Sequence, residues 1–168
     1  MLRPPDVVVL FAAISARGSW TIRSLADRLG VPHAMVQRAL TRLAETGVYD
    51  SDSRQAIPHA AEDFLEHALR YLHPIRLGTI VRGVPTAWGA SPLREEIFSN
   101  GPPPVWPDPD GDVRGNAVEP LDSRLPALVR TWPAVAQLAA LADAIRLGDA
   151  HTRAAAQRHL HARIYRPR

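Results

Sequence analysis

Six side chains within a ten-residue stretch have the types and spacing to bind nucleic acid. They recur at helical spacing on the face opposite Val36, Leu40 and Leu43. This face carries amide, hydroxyl and guanidinium groups and no carboxylate. Gln37 is suited to adenine, and the arginines to guanine or a phosphate. The six residues are His33, Ala34, Gln37, Arg38, Thr41 and Arg42.

Three further donors extend this predicted DNA-binding set. Thr21 and Arg23 lie at the start of the preceding predicted helix, where donors to phosphate groups are favoured. Arg54 is the cation of a predicted β-ribbon whose tip is acidic, with Asp50 and Asp52. A DNA-reading ribbon is usually basic, so this ribbon either contacts DNA weakly or serves a protein contact. The alternative for the helical face is that its arginines are only solvated.

An acidic turn forms a second candidate site, for a protein partner. Trp106, Asp108, Asp110 and Asp112 lie in a stretch, 91–125, with seven acids against three arginines. The acid spacing imitates a calcium loop, but Val113 occupies the position that requires glycine. We therefore expect the turn to present negative charge to a basic partner. The alternatives are a solvated turn and one that folds back on the basic C-terminal helix.

Composition argues against most enzyme classes. All 20 basic residues are arginine, and lysine and cysteine are absent, which excludes Schiff-base lysines and thiol nucleophiles. His159 and His161 are two positions apart and diverge on a helix, so no zinc site is expected. We expect no enzyme, metal or cofactor. No uncharged apolar run is long enough to span a membrane, and the expected location is the cytoplasm.

The elements that must position these residues are predicted from apolar periodicity and turn residues. Residues 1–58 predict three helices, ended by Gly18, Gly30 and Gly47, and then a two-stranded ribbon. The fold class is therefore mainly α with a small β-ribbon (α+β). The later segments are a connecting helix at 59–74, an irregular Pro/Trp-rich acidic segment at 75–131 and a C-terminal helical hairpin at 132–168.

Within the irregular segment, only residues 92–98 have a helical pattern. We expect the remainder to wrap the surface with its tryptophans as anchors, because buried aromatic side chains stabilise strongly. The hairpin is expected to supply a dimer or partner contact.

The N-terminal unit resembles a known family. Residues 20–31, WTIRSLADRLGV, followed by Val36, Leu40, Leu43 and Gly47, are similar to the bacterial winged helix-turn-helix regulators of the MarR-like group. The resemblance implies a sequence-specific DNA-binding transcriptional regulator that acts as a repressor and homodimer on double-stranded DNA. Pro32 departs from the Ser or Thr that often caps the third helix in that group.

The rest of the chain resembles a second bacterial family, in which such a module precedes "RGVPTA", "PPVWPDP…GDVRG" and a helical pair. These correspond to residues 82–87, 103–115 and 138–164. Some members lie beside genes for nucleotidyltransferase-like toxins. This resemblance implies the alternative function, an antitoxin-like module that binds a partner encoded nearby and represses its own operon.

Overall fold

The protein combines helices with two small β-sheets, so the predicted class, mainly α with a small β component, is confirmed. The computed structural model describes residues 1–16 and 19–166. Gly18, predicted to end the first helix, lies outside the described residues. The helices are α1 (Pro4–Ser15), α2 (Ile22–Leu29), α3 (His33–Glu45), α4 (Pro58–Asp63), α5 (Leu69–Leu72), α6 (Leu125–Thr131), α7 (Pro133–Leu147) and α8 (Ala150–Ile164). The strands are β1 (Tyr49–Asp50), β2 (Gln55–Ala56), β3 (Ile80–Pro85), β4 (Pro104–Pro107) and β5 (Val113–Ala117).

Local signals explain how the N-terminal unit forms. The Thr21 hydroxyl accepts from the Ser24 amide at 3.0 Å, and the Ser24 hydroxyl accepts from the Thr21 amide at 2.9 Å, which caps α2 reciprocally. Gly30 ends α2 with φ of +70°, a left-handed conformation that glycine adopts without strain. The antiparallel pair β1–β2 follows α3. The predicted order of helix, helix, turn, helix and ribbon is confirmed.

Residues 75–131 differ from the expected irregular segment, because they contain a three-stranded β-unit and end in helix α6, which was not predicted. Strand β3 pairs antiparallel with both β4 and β5, and β4 pairs parallel with β5, so the sheet closes on itself. Its strands have four to six residues, and prolines lie at both ends of β4. Such short strands bounded by proline show no recognisable alternation, which is why sequence periodicity missed them.

The other predicted helices fared unequally. The connecting helix runs from Pro58 to Leu72 with a π-helical turn at Phe64–Ala68 between α4 and α5. The expected helix at 92–98 is reduced to a single 3₁₀ turn at Leu93–Glu95. The C-terminal hairpin of α7 and α8 is confirmed, and the Asp149 side chain caps α8 by accepting from the Thr152 amide at 2.8 Å.

The hydrophobic core centres on α1 and α7. Every residue from 7 to 13 in α1 is buried, so this helix is covered on all sides, by α3 and α7 among others. Helix α2 is attached to the C-terminal part by Arg28, whose guanidinium carbon lies 3.6 Å from the centroid of the Trp132 ring. One apolar cluster thus joins the N-terminal unit to the hairpin. Among the described helices, none is long and apolar enough to cross a membrane.

Candidate nucleic-acid interface

The exposed face of α3 is the strongest candidate binding surface. Val36, Leu40 and Leu43 are buried against the core, as the helical spacing predicts. The side chains on the opposite face reach the surface at five of the six predicted positions: His33, Ala34, Gln37, Arg38 and Thr41. These five residues lie in the first three turns of α3, every residue of which the structure describes. None of the five is an acid. Helix α3 therefore offers amide, imidazole and guanidinium groups to a ligand.

The C-terminal end of this face is less favourable to an anion. Glu45, one turn beyond Thr41, is exposed and brings a carboxylate to the last turn of α3. The Thr41 hydroxyl donates to the Gln37 carbonyl oxygen at 3.1 Å, so its proton is already used within the helix. The basic part of the face is therefore its N-terminal half, which is the half of a recognition helix that contacts base edges.

Arg42 does not join the exposed face, which corrects its predicted role in DNA binding. Its Nη2 and Nε atoms donate to Asp6 Oδ1 and Oδ2 at 2.7 and 2.8 Å. Asp6 is 2% exposed, and its Oδ2 also accepts from the Arg3 amide at 2.8 Å. The hydrogen bond to Asp6 raises the pKa of Arg42. This fork-on-fork ion pair fastens α3 to α1, so the Arg42 side chain orients the exposed face of α3.

The start of α2 lies at the surface as predicted. Thr21 and Arg23 are exposed, and the side chain of Thr21 is engaged in the α2 cap. A phosphate at this position would meet the Arg23 guanidinium and the free amides of the first turn of α2. Thr21 and Arg23 can therefore add contacts with a phosphate group beside α3.

The β-ribbon has an acidic, self-contained tip. The Asp50 carboxylate accepts from the backbone amides of Ser53 and Asp52 at 3.0 and 3.3 Å, and its bonds with Ser53 lower the pKa of Asp50. Arg54 is exposed, with φ of +57°, and its guanidinium lies 5.0 Å from the centroid of the Trp20 ring. The ribbon thus offers one cation beside a turn closed by an acid.

The predicted partner-binding site is divided by the structure. Trp106 is 1% exposed, so its proposed contact with a partner is wrong; the aromatic ring is part of the core. Asp110 and Asp112 are exposed, whereas Asp108 is half-buried and accepts from the Asp110 amide at 2.9 Å. Within the described residues, no group of three or more His, Asp or Glu side chains is arranged to hold a metal ion.

A buried polar cluster around Asp143 was not predicted. Asp143 Oδ2 accepts from Trp106 Nε1 and Thr86 Oγ1, each at 2.8 Å, and Oδ1 accepts from Arg146 at 2.9 Å. Arg146 also donates twice to the His73 carbonyl oxygen, at 2.8 and 2.6 Å. Burial raises the pKa of Asp143, and the surrounding donors act against that rise. The only signal in the sequence was an i,i+3 pair of opposite charges in an apolar helix.

This cluster, which we call the Asp143 cluster (Thr86, Trp106, Asp143, Arg146 and the His73 carbonyl), attaches the β-unit to α7. It joins residues from β4, the turn after β3, helix α7 and the end of α5. Both charged side chains are at most 3% exposed. Because its charged side chains are almost completely buried, we assign the cluster to holding the β-unit on α7 and not to binding a ligand.

Comparison with known proteins adds no assignment to this site. The chain matches no protein-family model, no curated protein and no solved structure. What the exposed face of α3 can bind must therefore be argued from its own side chains.

Proposed function

We propose that this protein binds double-stranded DNA through the N-terminal half of α3 and acts as a transcriptional regulator. One observation carries the proposal: five side chains of α3 are exposed on one face without an acid, while the opposite side of the helix is buried in the core. A rigid helix with this pattern can enter the major groove, where Gln37 reads adenine and Arg38 reads guanine or a phosphate.

The supporting contacts come from elements on either side of α3. Arg23 at the start of α2 and Arg54 on the ribbon are exposed cations that can contact the DNA backbone. The ion pair of Arg42 with Asp6 holds α3 in a fixed orientation. Preorganisation of this kind lowers the entropy lost when the complex forms.

The finer form of the proposal is a cytoplasmic homodimeric repressor. In a two-fold symmetric dimer, two copies of α3 would enter successive major grooves about 34 Å apart. Sedimentation equilibrium of the protein alone and with a labelled duplex tests this directly. The proposal expects two protein copies on one duplex, and a single copy per duplex would exclude the homodimer.

The decisive experiment measures binding to the DNA upstream of the protein's own coding sequence. Arg38→Ala and Gln37→Ala should each weaken specific binding by about 1–3 kcal/mol, because each removes a contact with a base edge or a phosphate. Arg130→Ala, an exposed arginine on α6, is the matched control and should leave binding unchanged. Unchanged affinity in both α3 variants would exclude this face as the interface.

Salt dependence separates phosphate contacts from other interactions. The slope of log affinity against log salt should be steep, and removing one phosphate-binding arginine should reduce it by about one unit. Arg23→Gln tests this at the start of α2. A slope that does not change in Arg23→Gln would remove Arg23 from the interface while leaving α3 in place.

A second candidate is the antitoxin-like role, in which the protein binds a basic protein partner. The observation that favours it is the pair of exposed acids Asp110 and Asp112, together with Phe98, which is 96% exposed. Asp110→Asn with Asp112→Asn, and separately Phe98→Ser, should abolish co-purification with the product of an adjacent gene. These substitutions spare the core, whereas deletion of residues 100–120 would remove β4.

A further inference from the structure

A groove of about 720 Å³ lies between the ribbon, the end of α1 and the end of α8. Its described lining includes Ile14, Trp20, Arg54, Arg163 and Tyr165. This volume lies within the range of small-molecule sites, about 300–1,000 Å³. The groove is partly open to solvent, and its walls carry both aromatic and basic side chains. It therefore combines the size and the chemistry of a ligand site.

The described lining of the groove is rich in positive charge. Three of the described lining residues are arginines, Arg54, Arg163 and Arg166, and none of the described lining residues is Asp or Glu. Within the part of the chain that the structure describes, Arg163 donates to two neutral acceptors, the His159 carbonyl oxygen at 3.1 Å and Gln137 Oε1 at 3.2 Å. Burial and the neighbouring Arg166 lower the pKa of Arg163, which is the effect of a charge that lacks an anionic partner.

The acids that act on Tyr165 lie on α4 and on the π-helical turn that follows it. The Glu62 carboxylate accepts from His161 Nδ1 at 2.6 Å. Burial raises the pKa of Tyr165, and so do its hydrogen bond with Glu62 and the charges of Glu62, Asp63 and Glu66. Glu62 is not among the residues that line the groove. Among the described residues, Arg54, Arg163 and Arg166 take part in none of the salt bridges, so their guanidinium groups are available to an anion from solution.

The uncharged walls define the rest of the ligand. Trp20 is half-buried, and Arg54 lies over its ring. The Tyr165 ring stacks on His161 with centroids 4.4 Å apart. Ile14 and Ile164 add apolar surface. Planar rings stack on such walls, and arginine forks bind phosphate oxygens in pairs.

We propose that this groove binds a small organic phosphate with a planar aromatic body, the chemical class of a nucleoside monophosphate. The two guanidinium groups of Arg163 and Arg166 suit a dianionic phosphate better than a single carboxylate. Trp20 and Tyr165 are placed to contact the base, while Arg163 and Arg166 bind the phosphate. The site does not rest on the proposed DNA binding; Arg54 is shared with that interface, so the test uses Arg163 and Arg166.

Isothermal titration calorimetry of the full chain with AMP, adenosine, ribose 5-phosphate and benzoate tests the proposal. AMP should bind at least about tenfold more tightly than either adenosine or ribose 5-phosphate, because only AMP engages both walls. Arg163→Gln and Arg166→Gln should each weaken AMP binding by about tenfold or more, with Arg130→Gln as the control. Trp20→Ala should weaken AMP more than ribose 5-phosphate.

Circular dichroism melting of each variant confirms that it is folded, and Arg166, exposed at the end of α8, keeps the test valid if Arg163→Gln unfolds. Absence of AMP binding at millimolar concentration overturns the proposal. Binding of benzoate as tight as that of AMP overturns the phosphate assignment. AMP affinity unchanged in both arginine variants overturns the location.

Discussion

The guanidinium of Arg42 and the carboxylate of Asp6 form a two-pronged ion pair, 2.7 and 2.8 Å long, between residues 36 positions apart in the chain. Asp6 is buried in the first turn of α1, and the Arg42 side chain is 24% exposed. The pair joins the helix at the centre of the core to the helix that carries the proposed interface. Two arginines in the same part of α3 therefore differ in environment: Arg38 is exposed, whereas Arg42 is paired with Asp6.

Arg42→Ala should destabilise the fold by about 2–4 kcal/mol, because the buried Asp6 carboxylate would keep the Arg3 amide as its one donor among the described residues. Arg38→Ala should change stability by less than about 0.5 kcal/mol, since Arg38 is exposed. Urea unfolding followed by circular dichroism measures both variants. Equal stability of the two would mean that the ion pair contributes nothing.

A double-mutant cycle isolates the pair itself. Asp6→Ala with Arg42→Ala should cost less than the sum of the two single substitutions, because the double variant buries no unpaired charge. Additive costs would show that the two side chains act independently. Comparison with Arg38→Ala also separates effects on stability from effects on DNA binding. Arg38→Ala should lose DNA affinity while retaining the melting temperature of the wild type.

Local signals made much of the N-terminal unit predictable. Gly30 in a left-handed conformation, the Thr21 cap and the apolar spacing of α3 each act within a few residues, so the sequence displays them directly. The exposed residues of α3 followed from the same helical periodicity. Asp149 at the start of α8 was equally readable.

Long-range pairings could not be predicted. No residue near Arg42 in the sequence indicates that Asp6 will be its ion-pair partner. No residue near Trp106 indicates that its indole will donate to Asp143, 37 positions away. The strands of the β-unit are too short and too rich in proline and glycine for alternation to appear. An apolar or charged side chain shows its type in the sequence, but its partner depends on the tertiary fold.

Trp106→Phe should destabilise the protein by about 1–3 kcal/mol or more, because Asp143 loses one of its donors and the smaller ring leaves a void inside the core. Trp88→Phe is the matched control, since Trp88 is half-buried and lies outside the Asp143 cluster. Chemical denaturation followed by far-ultraviolet circular dichroism compares the two. Similar losses in both variants would argue that the indole hydrogen bond is unimportant.

Gly83→Ala should disrupt the three-stranded β-unit. A Cβ atom on Gly83 would overlap the Trp106 carbonyl group of the neighbouring strand and would lie 3.0 Å from Val105 Cγ2. Backbone atoms cannot rotate away as a side chain can, so overpacking of about 1–3 kcal/mol or more is expected. Gly101→Ala is the control, because the nearest atom to its added Cβ would be Ser99 Oγ at 4.0 Å.

Hydrogen exchange provides the measurement for this pair. Gly83→Ala should increase amide exchange in β3, β4 and β5 and lower the melting temperature, whereas Gly101→Ala should leave both close to the wild type. Retained protection of these strands in Gly83→Ala would contradict the close backbone approach between β3 and β4.

His73 should make stability depend on pH. Burial, together with the nearby positive charge of Arg146, lowers the pKa of His73 below its ordinary value of 6.5, although the Leu2 carbonyl and Asp6 favour the proton. The His73 Nε2 atom is buried and finds no hydrogen-bond partner among the described residues. Protonation would therefore place an unpaired cationic N–H beside a guanidinium group.

The sign follows from linkage. Because the folded pKa of His73 is lower than the unfolded one, the unfolded chain takes up the proton first as the pH falls through about 6.5. The contribution of the neutral ring to stability is complete above that pH and is lost progressively below it, down to the folded pKa. Unfolding free energies of the wild type and His73→Gln, measured from about pH 7.5 to 5, should therefore converge as the pH falls, or the wild type should become the less stable of the two.

His59→Gln, exposed at the start of α4, is the control and should follow the wild type. Parallel pH profiles of the wild type and His73→Gln would show that the ring titrates as it does in the unfolded chain.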